Sequence, residues 1–220
     1  MICVSLAEPT LGECLAALAG LSFAEIRLDR MAGVSLEDVG TLFSSHERLI
    51  ATCAPGSVPD DARKARLLAA VAAGAAYVDV ELEANEPYRE EIIAEARKQG
   101  CGVIISFHDH EKTPDRRTLS SIVAESFRKG ADIVKIACAV KSERDNARLL
   151  GLLDDSGKIV VIGMGKKGRI TRVVAPLLGS PFTFASFIEG RETAEGQIDK
   201  AALGSLMETM KQRVSMEVGS

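Results

Sequence analysis

Lys135 stands between Val134 and Ile136 in the run Asp132-Ile133-Val134-Lys135-Ile136-Ala137. An ammonium in an apolar, β-rich run is costly to bury unless it is used or paired. Burial disfavours the charged form of a lysine, and the neutral amine can then attack a ketone to form a Schiff base. The iminium draws electrons, so the neighbouring carbon becomes acidic and a base is required. Histidine suits that task, removing a proton and later giving one back. His108, in Ser106-Phe107-His108-Asp109-His110, ends the β-rich run just before that of Lys135. His110 has only proximity in its favour, and His46, among Ser44, Ser45 and Glu47, reads as surface.

Other charges fall at period two within strand-like runs, on shared faces. Ala24-Glu25-Ile26-Arg27-Leu28-Asp29 carries three and Tyr77-Val78-Asp79-Val80-Glu81-Leu82 two. A structural ion-pair ladder is the plain alternative for Glu25, Arg27 and Asp29. As a functional set, Glu25 and Arg27 suit substrate hydroxyls. The segment Gly163-Met164-Gly165-Lys166-Lys167-Gly168-Arg169-Ile170-Thr171-Arg172 is a glycine-rich basic loop entering a helix. Exposed N–H groups at a helix start favour an anion, and Arg172 can pair with a carboxylate. A mobile basic loop is the plain alternative there.

Eight strand-like runs hold these residues: Ile2–Leu6, Ala24–Asp29, Leu49–Cys53, Tyr77–Leu82, Gly102–His108, Asp132–Ala137, Lys158–Gly163 and Phe182–Phe187. Their starts lie about 20 to 30 residues apart, the length of one strand–loop–helix unit. Helix signals fall between them. Thr113-Pro114 reads as an N-cap with proline at the first helical position, Ser142 with Asp145 as a capping box, and Gly100 and Gly130 as stops. Eight such units without a composition break predict one (β/α)₈ barrel over residues 1–220. A doubly wound sheet would want a glycine-rich turn after its first strand, and Leu6-Ala7-Glu8-Pro9-Thr10 has none. Barrel enzymes build their sites at the C-terminal strand ends, where His108 lies.

Composition sets the outer bounds. The 220 residues are 46% apolar and 26% charged, a globular balance, and the net charge of −4 argues against nucleic acid as the main partner. No apolar run reaches the about 20 residues of a membrane span, and Met1–Thr10 shows no secretory signal. Five widely spaced cysteines (Cys3, Cys14, Cys53, Cys101, Cys138) without a CxxC pair read as reduced thiols in the cytoplasm, with neither disulfides nor zinc.

Taken together, Glu25-Ile26-Arg27-Leu28-Asp29, Asp79-Val80-Glu81, Ser106-Phe107-His108-Asp109, the Lys135 run, Gly163-Met164-Gly165, Gly168 to Arg172 and Gly196-Gln197 resemble type I 3-dehydroquinate dehydratase in order and over nearly the whole chain. The resemblance implies a (β/α)₈ hydro-lyase of the shikimate pathway, usually a homodimer. It would dehydrate 3-dehydroquinate to 3-dehydroshikimate without metal or cofactor, on the way to chorismate and the aromatic amino acids. Lys135 then matches the Schiff-base lysine and His108 the general acid/base. Glu25 and Arg27 match the hydroxyl-binding pair, Arg172 the carboxylate-binding arginine, and Gln197 the glutamine of the closing loop. Thr193 stands where the family commonly has serine, and Ser5 joins the substrate contacts. Met164 and Phe184 match apolar lining positions, and Asp79 an acid near the lysine.

The chain departs from that pattern after strand three, at Thr52-Cys53-Ala54-Pro55-Gly56-Ser57-Val58-Pro59-Asp60-Asp61. Ala54 replaces the expected arginine, and the glutamate that orients the histidine has no clear counterpart; the acids at hand are Asp60 and Asp61. Two rival readings follow. Another lysine Schiff-base barrel, such as a class I aldolase, would trap the same way and differ in product. A module that binds a polyhydroxy acid without converting it would show affinity alone.

Overall fold

The computed structural model describes residues 1–56 and 58–217; Ser57 of the divergent run lies outside them. The strands are β1 (Ile2–Leu6), β2 (Ala24–Arg27), β3 (Leu49–Thr52), β4 (Tyr77–Glu81), β5 (Gly102–Asp109), β6 (Ile133–Ala139), β7 (Ile159–Met164) and β8 (Thr183–Ser186). The helices are α1 (Leu11–Leu18), α2 (Leu36–Ser44), α3 (Asp60–Ala72), α4 (Glu86–Gln99), α5 (Arg116–Arg128), α6 (Glu143–Gly151), α7 (Arg169–Val174) and α8 (Lys200–Glu217). One sheet holds the strands in the order β7-β6-β5-β4-β3-β2-β1-β8. Every strand adjoins its neighbour in sequence, and β8 lies beside β1. That order is (β/α)₈; a doubly wound sheet reverses partway through.

Local chemistry sets the helix ends. Ser35 and Asp38 close a full capping box on α2, with Ser35 N donating to Asp38 Oδ2 at 3.0 Å and Asp38 N to Ser35 Oγ at 3.0 Å. On α6, Asp145 Oδ2 accepts from Lys141 N and Ser142 N at 2.9 and 2.8 Å. Gly100 ends α4 at φ 70°, a left-handed geometry that glycine adopts without a Cβ penalty. Thr113 is not the cap expected for α5. That helix starts at Arg116, and Asp115 Oδ1 accepts from Thr118 N at 2.9 Å. Thr113 instead donates its hydroxyl to Ala139 O at 2.8 Å, at the end of β6.

The chain forms two compact units. One holds Val4–Phe107 with Ala124–Val134. Its pairs β1–β2, β2–β3, β3–β4 and β4–β5 are parallel, with Ser5 opposite Glu25, Arg27 opposite Thr52, Thr52 opposite Asp79 and Glu81 opposite Ser106. Ile26, Ile50, Val78, Val80 and Ile104 are buried along these strands. The other unit holds Met1–Cys3, His108–Val123 and the chain from Lys135 on. There Ala185, Leu203 and Met207 form an apolar cluster against Ile2, Val173 and Ile198, seating α8 on β8.

Candidate active site

In the first unit, polar side chains from adjacent strands meet in small groups. Glu25 accepts from the Ser5 hydroxyl on β1 and from Thr52 Oγ1 on β3 at 2.9 Å. Both acceptor oxygens are thus oriented by hydroxyls fixed in strands. Arg27 grips Asp29 with two bonds, Nε to Oδ1 at 2.9 Å and Nη2 to Oδ2 at 2.7 Å. Asp79, buried at the centre of β4, accepts from Ser106 Oγ at 2.6 Å.

Of the ladder reading of Glu25, Arg27 and Asp29, the Arg27–Asp29 ion pair is present, but not as two rungs on one strand face. β2 stops at Arg27, and a 3₁₀ turn over Leu28–Arg30 carries Asp29 out of the alternating pattern. Asp29 Oδ1 also accepts from Ala54 N at 3.2 Å. Burial pushes the Asp29 carboxyl upward, but the Arg27 bonds and charge outweigh it and hold the group below the usual carboxylate range.

Arg63 is the residue the sequence did not disclose. Its side chain is 5% exposed, and all three guanidinium nitrogens are engaged: Nε with Cys53 O at 2.8 Å, Nη1 with Asp60 at 2.8 Å and Nη2 with Glu81 at 2.9 Å. It therefore ties the backbone beside Ala54 to the C-terminal end of β4, with the Tyr88 ring 5.4 Å from its guanidinium carbon. Asp60, one of the two acids considered for orienting the histidine, is committed to this arginine, and Asp61 is exposed. Burial, then the nearby Asp79 charge, push the Glu81 carboxyl up, and Arg63 opposes them.

The second unit contains the lysine. Lys135 is 8% exposed, between fully buried Val134 and Ile136, and its Nζ lies 4.9 Å from the centroid of the Phe184 ring on β8. Phe184 packs edge-on against Phe182 at 5.5 Å. Met164 is buried at the end of β7. His108 sits at the exposed C-terminal end of β5, its ring stacked on His110 with centroids 6.2 Å apart. His46, expected at the surface, is half-buried, with Nε2 2.9 Å from Leu21 O.

Arg172, in the last turn of α7, is 1% exposed. Its Nη1 donates to Phe184 O at 3.1 Å, while Nε and Nη2 are buried without a hydrogen-bond partner among the described residues. Burial, with the nearby Arg169 charge, lowers its pKa to about 10. A buried cation with two idle donors has the chemistry to pair with an anion. The glycine-rich loop plays a different part from the one expected of its N–H groups. Gly163 N donates to Thr171 Oγ1 at 2.8 Å, Gly168 N to Gly165 O at 3.1 Å and Gly165 N to Glu195 O at 3.2 Å. Those three donors are spent within the protein, which leaves the buried guanidinium of Arg172 as the loop's side-chain donor set facing inward.

Thr193 and Gln197 lie on the segment between β8 and α8. Thr193 N donates to Gln197 Oε1 at 2.7 Å, and Gln197 Nε2 to Thr193 Oγ1 at 3.0 Å. Gly196, at φ 80°, rests directly on the backbone of Gly165, leaving no room for a Cβ. The segment is thereby docked on the loop after β7.

The five cysteines are free and buried, and burial pushes the thiols of Cys14 and Cys53 to about 11 and those of Cys101 and Cys138 to about 12. Such thiols are poor nucleophiles at neutral pH. Among the described residues no cluster of His, Cys, Asp and Glu suits a metal, and no helix is long and apolar enough to cross a membrane.

Residues 2–214 match the family model for type I 3-dehydroquinase. The 3-dehydroquinate dehydratase of Methanococcus maripaludis is 31% identical over 226 residues, covering 96% of this chain and 100% of that protein. That of Methanococcoides burtonii is 40% identical over 134 residues, covering 61% of this chain and 57% of the relative. Among solved structures, 3-dehydroquinate dehydratase from Enterococcus faecalis superposes with a TM-score of 0.80 at 27% identity, covering 94% of this chain and 92% of that one. The type I enzyme from Clostridium difficile, solved with covalently modified comenic acid, gives 0.85 at 24% identity, covering 96% and 92%.

Proposed function

The chain belongs to the type I 3-dehydroquinase family, and on that premise we propose that it removes water from 3-dehydroquinate, as a hydro-lyase, through an imine on Lys135. The observation that carries the reading is the pairing of a strand lysine over Phe184 with a buried arginine, bonded to the same residue's carbonyl, that holds two idle donors. A ketone for the lysine's neutral amine and a carboxylate for the guanidinium are the groups those two side chains would take, and 3-dehydroquinate has both.

Lys135 Nζ adds to the ketone, and loss of water gives the imine. His108 removes a proton from the adjacent carbon, and the electrons pass into the iminium as an enamine. Their return expels the β-hydroxyl, which leaves as water with a proton from His108. Hydrolysis of the conjugated imine frees 3-dehydroshikimate and restores the amine. Arg172 holds the carboxylate through the reaction. Glu25 and Arg27 take substrate hydroxyls, and the Ser5 hydroxyl, already on Glu25, shares that work. Asp79 supplies a fixed negative charge, and Met164 and Phe184 an apolar wall. Thr193 and Gln197, on the segment docked against Gly165, exchange their mutual hydrogen bonds for the substrate. The reading extends to one catalytic domain, acting as a homodimer in the cytoplasm on the shikimate route to aromatic amino acids, with no cofactor.

Enone absorbance on adding 3-dehydroquinate tests the proposal. Growth of the 3-dehydroshikimate chromophore is the expected result. Binding without conversion, or a different product, overturns it.

A further inference from the structure

We infer that Ser186, the last residue of β8, is a second anchor for the substrate carboxylate beside Arg172. The inference rests on the dehydratase reading of this site and adds a residue to it.

Strand geometry sets the edge that the Ser186 backbone meets and the face that its side chain occupies. Thr183 N donates to Met1 O, so residue 183 turns its polar groups toward β1. In a parallel strand the next residue turns them the other way, so Phe184 and Ser186 face the side where β8 has no strand partner. Two substitutes fill that edge: Arg172 Nη1 donates to Phe184 O at 3.1 Å, and Ser186 N donates to Ile198 O at 3.0 Å. Side chains two apart share a face, so Ser186 Oγ lies on the face of the Phe184 ring, which meets Lys135. Ser186 is fully buried, and its Oγ has no partner among the described residues.

The guanidinium of Arg172, fixed by Nη1 at Phe184 O, and the hydroxyl of Ser186 two residues further on therefore border one stretch of β8. Two residues of strand span about 6.6 Å, a gap one carboxylate bridges by accepting from each side. Thr183 Oγ1 is also buried without a partner, but alternation sets it on the opposite face, so it serves as a control.

Calorimetric binding of two ligands separates the roles. One is the substrate with its ketone reduced to an alcohol, which keeps the carboxylate and forms no imine. The other carries CH₂OH in place of the carboxylate as well. Ser186→Ala should weaken the acid about 10-fold, the lower end for a hydrogen bond to a charged group, and leave the alcohol within twofold. Thr183→Ala should change neither. In turnover, Ser186→Ala should raise KM with kcat within twofold. Equal weakening of both ligands, or no weakening of the acid, overturns the assignment even if wild type converts 3-dehydroquinate. Absence of conversion by wild type overturns the dehydratase reading alone, provided the acid binds and Ser186→Ala weakens it selectively. An acid that does not bind wild type overturns both.

Discussion

Lys135 Nζ lies 4.9 Å from the centre of the Phe184 ring, and the carbonyl of that same phenylalanine accepts from Arg172. One residue of β8 thus meets, by ring and by backbone, the amine proposed to bond the ketone and the guanidinium proposed to hold the carboxylate. The spacing between those two functions is set by a single strand position.

Borohydride added with substrate or product should fix one ligand mass on the peptide containing Lys135. Lys135→Ala should lose both the label and turnover. A label on Lys166 or Lys167, both exposed, would refute the imine assignment.

The two stacked histidines can be told apart by turnover. His108→Ala should cost roughly 10²–10⁴-fold in kcat, the usual contribution of a general acid–base group, while borohydride trapping of imine persists. His110→Ala should stay within a few-fold. The reverse ranking would move the proton-transfer role to His110.

Arg172→Met separates binding from stability. Loss of a charge-assisted bond of about 1.5–3 kcal/mol should weaken substrate binding roughly 10- to 150-fold. Its folded pKa lies near 10, below the unfolded value, so at pH 7 the arginine is charged in both states and the burial cost is fully present. Removing it should raise the Tm of the unliganded protein by about 2–4 °C, equivalent to about 1 kcal/mol in a chain of this size. A fall in Tm would mean that the bond to Phe184 O outweighs the buried charge.

Arg63→Met should cost about 1–3 kcal/mol in urea unfolding at pH 7, because it leaves the half-buried Glu81 without its cation. The Glu81 pKa already lies above its ordinary value, and losing Arg63 moves it further up. An acid with a raised folded pKa binds more protons when folded, so stability falls as pH rises through that range. The deficit of the variant should therefore shrink between pH 7 and pH 5. A pH-independent deficit would assign the loss to packing against Tyr88.

Lys135 was legible because a charge in an apolar strand has few reasons to be there, and the (β/α)₈ order because strand-like runs recur at one spacing. Arg63 was not. An arginine in a helix reading Asp60-Asp61-Ala62-Arg63 looks like a solvated ion pair, and its partners Cys53 O and Glu81 come from other elements. Asp29 was misplaced for a local reason: alternation predicts a face only while the strand lasts, and β2 turns into 3₁₀ geometry at Leu28. The idle nitrogens of Arg172 were equally hidden, since the competing N–H groups of Gly163, Gly165 and Gly168 are consumed by bonds visible only in three dimensions. Ser186, a small polar residue at a strand end, gave no signal.

The bond from Ser186 N to Ile198 O ties the end of β8 to the segment docked on Gly165. That amide keeps its acceptor only while the segment stays down, so its hydrogen exchange reports on the segment and not on the strand. Product that holds the segment in place should therefore slow exchange at Ser186 N, while Thr183 N, bonded to Met1 O, should exchange equally fast with and without product.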